Sequence, residues 1–124
     1  MVARAQARLP HGLALTGDAL DLPFADDAFD RVLAGHFYGH LADRERATFL
    51  AQARRVAPEL VVIDSALRPG VDPAGWHERK LNDGSRHRIF KRYLTSQDLR
   101  DELGAEILHA GTWFVTAHAA RPET

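Results

Sequence analysis

Gly17 to Leu33 reads G-D-A-L-D-L-P-F-A-D-D-A-F-D-R-V-L. Asp18, Asp21, Asp26, Asp27 and Asp30 punctuate its apolar residues, so the run divides into a strand exit, an acidic turn, an apolar triplet and the entry to a second strand. On its N-terminal side, Leu13 to Thr16 is long enough for one buried strand, and Gly17 lets the backbone leave it sharply. Asp18 then stands at that strand's C-terminal end, where open α/β sheets hold ligand contacts; the competing reading is a turn-capping Asp bonded to local backbone. On the other side, Phe29 to Leu33 is an apolar strand, with Asp26 and Asp27 in a solvated turn before it.

The alternation of strand and helix continues outward. Val2 to Leu9 has helical propensity and is stopped by Pro10, His11 and Gly12. Asp43 reads as the N-cap of a helix from Arg44 to Ala57, closed by Pro58. Leu60 to Ile63 is almost uniformly apolar, the pattern of a parallel strand covered on both faces. Asp64 at its end either touches a ligand or caps the next turn with Ser65. Arg68 to Gly75 is turn-rich and opens the longest irregular region. Within that region Trp76 to Tyr93 (W-H-E-R-K-L-N-D-G-S-R-H-R-I-F-K-R-Y) holds six of the sixteen Lys and Arg residues, interleaved with aromatics. Such a stretch is a solvated arm lying over the sheet, or a surface for an anionic substrate or nucleic acid. Thr95 caps a helix from Ser96 to Leu103, with Asp98 three residues on and Gly104 as its stop. Ile107 and Leu108, a turn at Ala110 and Gly111, and alternation through Trp113, Val115 and Ala117 make a terminal antiparallel pair; Ala119 to Thr124 reads as a frayed tail.

A chain of 124 residues, 45% hydrophobic, suits one domain with a modest core. Sixteen basic against seventeen acidic residues leave a net charge of -1, which argues against nucleic acid and anionic membrane as partners. The absence of cysteine excludes disulfides, thiolate metal sites and a Cys nucleophile. No apolar run approaches the roughly 20 residues of a membrane span and no signal peptide is evident, so a cytoplasmic protein is the expectation. His36 and His40 are four apart, but Phe37 stands where H-E-x-x-H needs Glu and Gly39 disfavours helix, so no metal is expected.

The order G-D-A, then L-P-F, then F-D-x-V-L resembles the middle of a class I S-adenosylmethionine-dependent methyltransferase. R-V-A-P-E-L-V-V-I-D at Arg55 to Asp64 is similar to that family's R-V-L-x-P-G-G helix end and following strand. The resemblance implies an α/β fold: a truncated Rossmann-like methyltransferase sheet, mostly parallel with an antiparallel C-terminal hairpin, in a single partial domain over residues 1–124. It implies S-adenosylmethionine as cofactor. Asp18 and Ala19 match residues that contact the adenine, and Leu20 would pack near the base. The loop after the second strand borders cofactor and acceptor in the family, which makes His36, Phe37 and Tyr38 pocket residues and His36 the candidate general base. The connection after the family's fifth strand shapes the acceptor pocket, which makes Trp76, His77, Arg79 and Lys80 substrate-side residues for a small-molecule acceptor.

None of the glycines forms a G-x-G-x-G turn after a strand, so the part of the site that holds the methionine end of the cofactor is lacking and binding by this chain alone is in question. The family's first and second strands would lie between Leu13–Thr16 and Phe29–Leu33. Without them an apolar edge is left unpaired. Either the first strand pairs directly with the second, or two chains associate through this edge as a homodimer. The activity classes that remain are a methyltransferase and a catalytically inert interaction or regulatory module.

Overall fold

The computed structural model describes residue 12 and residues 14–122. The expected helix at Val2 to Leu9 lies outside these residues, and so does Leu13 of the expected first strand. Residues 14–17 make no strand. The chain instead tightens into a turn in which Asp21 N–H donates to the Asp18 carbonyl at 3.0 Å. The elements that follow are strand β1 (Arg31–Gly35), a 3-10 turn (Tyr38–His40), helix α1 (Asp43–Val56), strands β2 (Glu59–Ser65), β3 (Ala74–Lys80) and β4 (Arg86–Arg92), helix α2 (Ser96–Leu103), and strands β5 (Glu106–Ala110) and β6 (Phe114–Ala120).

Four strands form one sheet in the order β1-β2-β6-β5, with β1 and β2 parallel and both other pairings antiparallel. Helix α1 is the crossover that a parallel pair requires. The α/β class and the antiparallel C-terminal pair are as expected; among the described strands parallel pairing is confined to β1 and β2, and an isolated parallel bridge joins Ala66 to Leu94. Residues 14–17, the described part of the expected first strand, do not pair with β1, so that option is corrected for them: β1 keeps a free edge among the described residues, with Leu33 64% exposed.

Helix α1 starts one residue earlier than its sequence suggests. The Glu45 carboxylate accepts the Ala42 N–H at 3.1 Å, so Ala42 is the N-cap and Asp43 lies in the first turn, where its charge favours the positive end of the helix. Helix α2 follows its sequence closely. Thr95 Oγ1 accepts from Asp98 N–H at 3.0 Å, the Asp98 carboxylate accepts from Thr95 N–H at 2.9 Å, and Gly104 closes the helix at φ 64°.

Residues of both helices (Phe49, Leu50 and Ala53; Leu99 and Leu103) join one buried cluster with Leu60 and Val62 of β2 and Val115, Ala117 and Ala119 of β6. On the opposite face of the sheet Val61 and Ile63 are only half-buried, and Leu108 and Phe114 are exposed. The two-sided cover expected for β2 is therefore corrected to one helical layer among the described residues.

The stretch from Trp76 to Tyr93 is not an irregular arm. Strands β3 and β4 form an antiparallel hairpin in register from Ala74–Arg92 to Lys80–Arg86. Its turn is closed by Leu81 N–H to the Ser85 carbonyl at 2.8 Å and by Asp83 Oδ1 accepting Ser85 N–H at 2.8 Å, with Gly84 at φ 87°. Asp83-Gly84 is the dipeptide such hairpins favour, because only a residue without Cβ takes that φ cheaply.

Candidate functional site

The carboxyl ends of the parallel strands β1 and β2 meet at one end of the sheet, together with the entry of antiparallel β6. Ligand contacts in open α/β sheets gather at this end. The chain leaves β1 at Gly35 and turns at His36, which sits at φ 52° while its N–H donates to the Ile63 carbonyl at 2.8 Å. A non-glycine residue in the left-handed region costs about 1–2 kcal/mol, which the surrounding bonds must offset. The imidazole is exposed and meets the Phe114 ring edge-on at 5.4 Å.

The next residues turn inward. Phe37 is half-buried against Phe49, with ring centroids 5.3 Å apart. Tyr38 is 0% exposed and its hydroxyl donates to Glu102 Oε1 at 2.7 Å, so its ring has no surface to offer a pocket. Burial first, and then the hydrogen bond to Glu102, push the Tyr38 phenol well above its ordinary range. Glu102 also accepts both terminal nitrogens of Arg92, at 2.8 and 2.7 Å, and lies 3.6 Å from Arg46 Nε. Burial raises the Glu102 carboxyl, but hydrogen bonds from Arg92 and Tyr38 outweigh it and hold the group below the usual carboxylate range. His40 donates Nδ1–H to the Phe90 carbonyl at 2.9 Å, since that oxygen can only accept. His36 and His40 thus face different neighbours and share no helix face.

Asp64 is 0% exposed; its Oδ2 accepts Gly39 N–H at 2.8 Å and its Oδ1 accepts Ser65 N–H at 2.8 Å. Of the two sequence readings for Asp64, the backbone-holding one describes its contacts.

On the N-terminal side, Asp18 is exposed and its Oδ1 accepts Leu20 N–H at 2.9 Å. Ala19 and Leu20 are half-buried and packed against the core. A cleft of about 200 Å³ opens beside them, lined by Leu15, Thr16, Gly17, Ala19 and the Leu22–Phe24 segment. Arg55 of α1 fixes that segment by donating to the Phe24 carbonyl at 2.6 Å and the Leu22 carbonyl at 2.9 Å.

The hairpin separates residues that the sequence had grouped. Trp76, 60% exposed, meets Phe90 edge-on at 5.6 Å and lies under Arg88, whereas His77 and Arg79 belong to the opposite face with Lys91. That second face reaches the end of β2, where Lys91 Nζ donates to Ser65 Oγ at 3.0 Å. Lys91 stands 5.1 Å from the Tyr93 ring centroid, and Arg68 stands 5.5 Å from Tyr93 and 4.5 Å from Trp113. Sequence reading passed over Ser65, Arg68, Lys91 and Tyr93 as site residues. Two-residue alternation along β4 would have put Lys91 and Tyr93 on one face, had the hairpin been recognised.

A family model described as a methyltransferase domain matches residues 1–59. Over 41 residues, 33% of this chain, the sequence is 51% identical to ajmaline N-methyltransferase of Rauvolfia serpentina, covering 13% of that protein. The solved structure of the DhpI–SAH complex superposes with a TM-score of 0.76 at 22% identity, over 99% of this chain and 62% of that one. Burkholderia thailandensis 1,6-didemethyltoxoflavin-N1-methyltransferase superposes with a TM-score of 0.68 at 14% identity, over 98% of this chain and 56% of that one. The chain therefore spans less than two thirds of the length of these relatives, and the structural likenesses establish its fold. With that fold, the methyltransferase-domain match over residues 1–59 and the G-D-A, L-P-F and F-D-x-V-L order, the chain is similar to S-adenosylmethionine-dependent methyltransferases over the portion it spans.

Proposed function

We propose that this chain carries the adenine-side wall and the acceptor side of a methyltransferase active site, and that its acceptor is a small molecule. The observation that carries the reading is the Asp18–Leu20 turn beside an apolar cleft of about 200 Å³. Asp18 Oδ2 and Ala19 N–H have no hydrogen-bond partner among the described residues. An acceptor and a donor on adjacent residues, above apolar walls, fit the edge and faces of an adenine ring. Asp18, Ala19 and Leu20 are thus the residues to hold S-adenosylmethionine, with His36 on its far side. When bound, that cofactor supplies an electrophilic methyl group. His36, exposed and left without a side-chain hydrogen bond among the described residues, is suited to take a proton from the acceptor. Phe37, His77 and Arg79 stand on the acceptor side and Trp76 at its rim, while Tyr38 holds the loop from beneath.

Calorimetric titration tests this. Saturable heat with S-adenosylmethionine, and its loss in Asp18→Ala, are expected; no heat at millimolar ligand would sink the reading in favour of an inert interaction module.

Association of two copies through the free edge of β1, in a cytoplasmic protein, is part of the same proposal. Leu33 at 64% exposure, on β1, and Phe29 at 44%, two residues before it, are the exposed apolar residues there. Size exclusion with light scattering should give a dimer, and Leu33→Lys a monomer. A wild-type monomer across a hundredfold range of concentration rules the dimer out.

A further inference from the structure

We infer that Arg68, Lys91 and Ser65 form a subsite for an oxyanion, and that the methyl acceptor is a small molecule carrying such a group, a carboxylate or a phosphate-type group. Naming the ligand as the acceptor rests on the methyl-transfer reading above; the oxyanion subsite does not.

Arg68 and Lys91 come from different segments, the first just beyond β2 and the second on β4, yet both lie against the ring of Tyr93. Both are half-buried, and neither has a carboxylate within ion-pair distance among the described residues. Three other half-buried cations are neutralised, Arg92 and Arg46 by Glu102 and Arg55 by Asp26. Two cations withdrawn from full hydration and turned onto one ring repel each other, and aromatic faces offset that only in part. An anion seated between their donors removes the imbalance.

The donor set suits an oxyanion. The guanidinium offers a planar fork, the ammonium a compact charge, and Ser65, whose oxygen already accepts from Lys91 at 3.0 Å, keeps its own O–H to donate.

The position is equally specific. Ser65 is the register partner of Phe114, and Phe114 meets the His36 ring at 5.4 Å. A small acceptor held by its oxyanion at Arg68 and Lys91 therefore lies across the apolar surface of Phe114, with its far end beside His36. Phe114 is 48% exposed, which leaves that surface open to a ligand.

The test is an NMR titration of the protein without cofactor, with inorganic phosphate and separately with acetate, at constant ionic strength. Saturable shifts are expected at the Arg68 side-chain N–H and the Ser65 and Tyr93 amides, with exposed Arg100 and Arg88 unmoved. The anion with the lower midpoint gives the acceptor's class. Arg68→Gln should raise the midpoint by about tenfold or more, the loss of one charge-assisted hydrogen bond, and Ser65→Ala by a few-fold. Shifts that grow without saturating, or that are equal at Arg100 and Arg88, overturn the subsite, and the wild-type titration alone decides this. Saturable phosphate or acetate binding alongside a silent S-adenosylmethionine titration removes the methyl-transfer reading and supports the subsite. The reverse pattern removes the subsite alone.

Discussion

Gly39→Ala is expected to destabilise the protein by about 2–4 kcal/mol, the sum of an overpacking term and a strained buried hydrogen bond. A Cβ at this position would stand 2.7 Å from the backbone carbonyl of Arg92 and 3.1 and 3.2 Å from the two carboxylate oxygens of Asp64. The nearest of these atoms is backbone, at the end of β4, so relief requires the hairpin to shift against the sheet. The others belong to a side chain that is itself 0% exposed and holds the backbone on both sides, at Gly39 N–H and Ser65 N–H. Moving Asp64 to make room stretches those bonds in a place where water cannot replace them. Denaturant unfolding should show the loss as a lower midpoint with an unchanged slope, because the surface exposed on unfolding stays the same. Gly35→Ala is the matched control: nothing lies within 4 Å of a Cβ there, and the change should stay within about 0.5 kcal/mol of wild type. Equal stability of the two variants would show that the hairpin yields freely and that Gly39 is no clamp.

Helix α2 was legible because every device that bounds it is local. Thr95, Asp98 and Gly104 lie within ten residues and bond to one another or to the helix itself. At α1 the same kind of reading missed by one residue, since Glu45 caps from inside the helix and leaves Ala42, with no side-chain acceptor, at the boundary. The hairpin carried its signal in Asp83-Gly84, but the charge of the surrounding residues drew the reading toward a solvated arm. Apolarity at Val61 and Ile63 reported what the strand can bury and not what covers it. The site was harder. His36 bends through the left-handed region without the glycine or asparagine that usually announces such a turn. Tyr38 had the composition of a pocket residue, and its partner lies 64 positions away at Glu102, a separation no local pattern bridges. Arg68 and Lys91 become neighbours only when the hairpin folds back over the end of β2.

Glu102→Gln should cost about 2–4 kcal/mol at neutral pH, toward the lower part of the range for breaking a buried ion pair because the carboxylate keeps some contact with water. Its side chain is 26% exposed, against 13% for Arg92 and 17% for Arg46. The substitution keeps the shape and an oxygen for the Tyr38 hydroxyl, so what it removes is the charge that two poorly hydrated guanidinium groups depend on. Tyr38→Phe removes only the hydroxyl bond and should cost about 1 kcal/mol, which separates the charge from the phenol. The effect must also depend on pH in one direction. The Glu102 carboxyl, although burial pushes it up, is held below the usual range by the Arg92 and Tyr38 hydrogen bonds and the nearby Arg charges. A carboxyl whose folded value is depressed contributes stability that is fully present above its unfolded value, about 4.3 for Glu, and is lost as pH falls through the folded value. The gap between wild type and Glu102→Gln should therefore be widest near neutrality and close as acid takes the pH down through the folded value. Other depressed carboxyls, Glu59 beside Arg31 and Asp83 beside Ser85, titrate in both proteins and cancel in the difference. A gap that is the same at neutral and at acid pH would mean that the substituted amide fails through its geometry, and that the charge on Glu102 is not what holds the hairpin, α2 and the Tyr38 turn together.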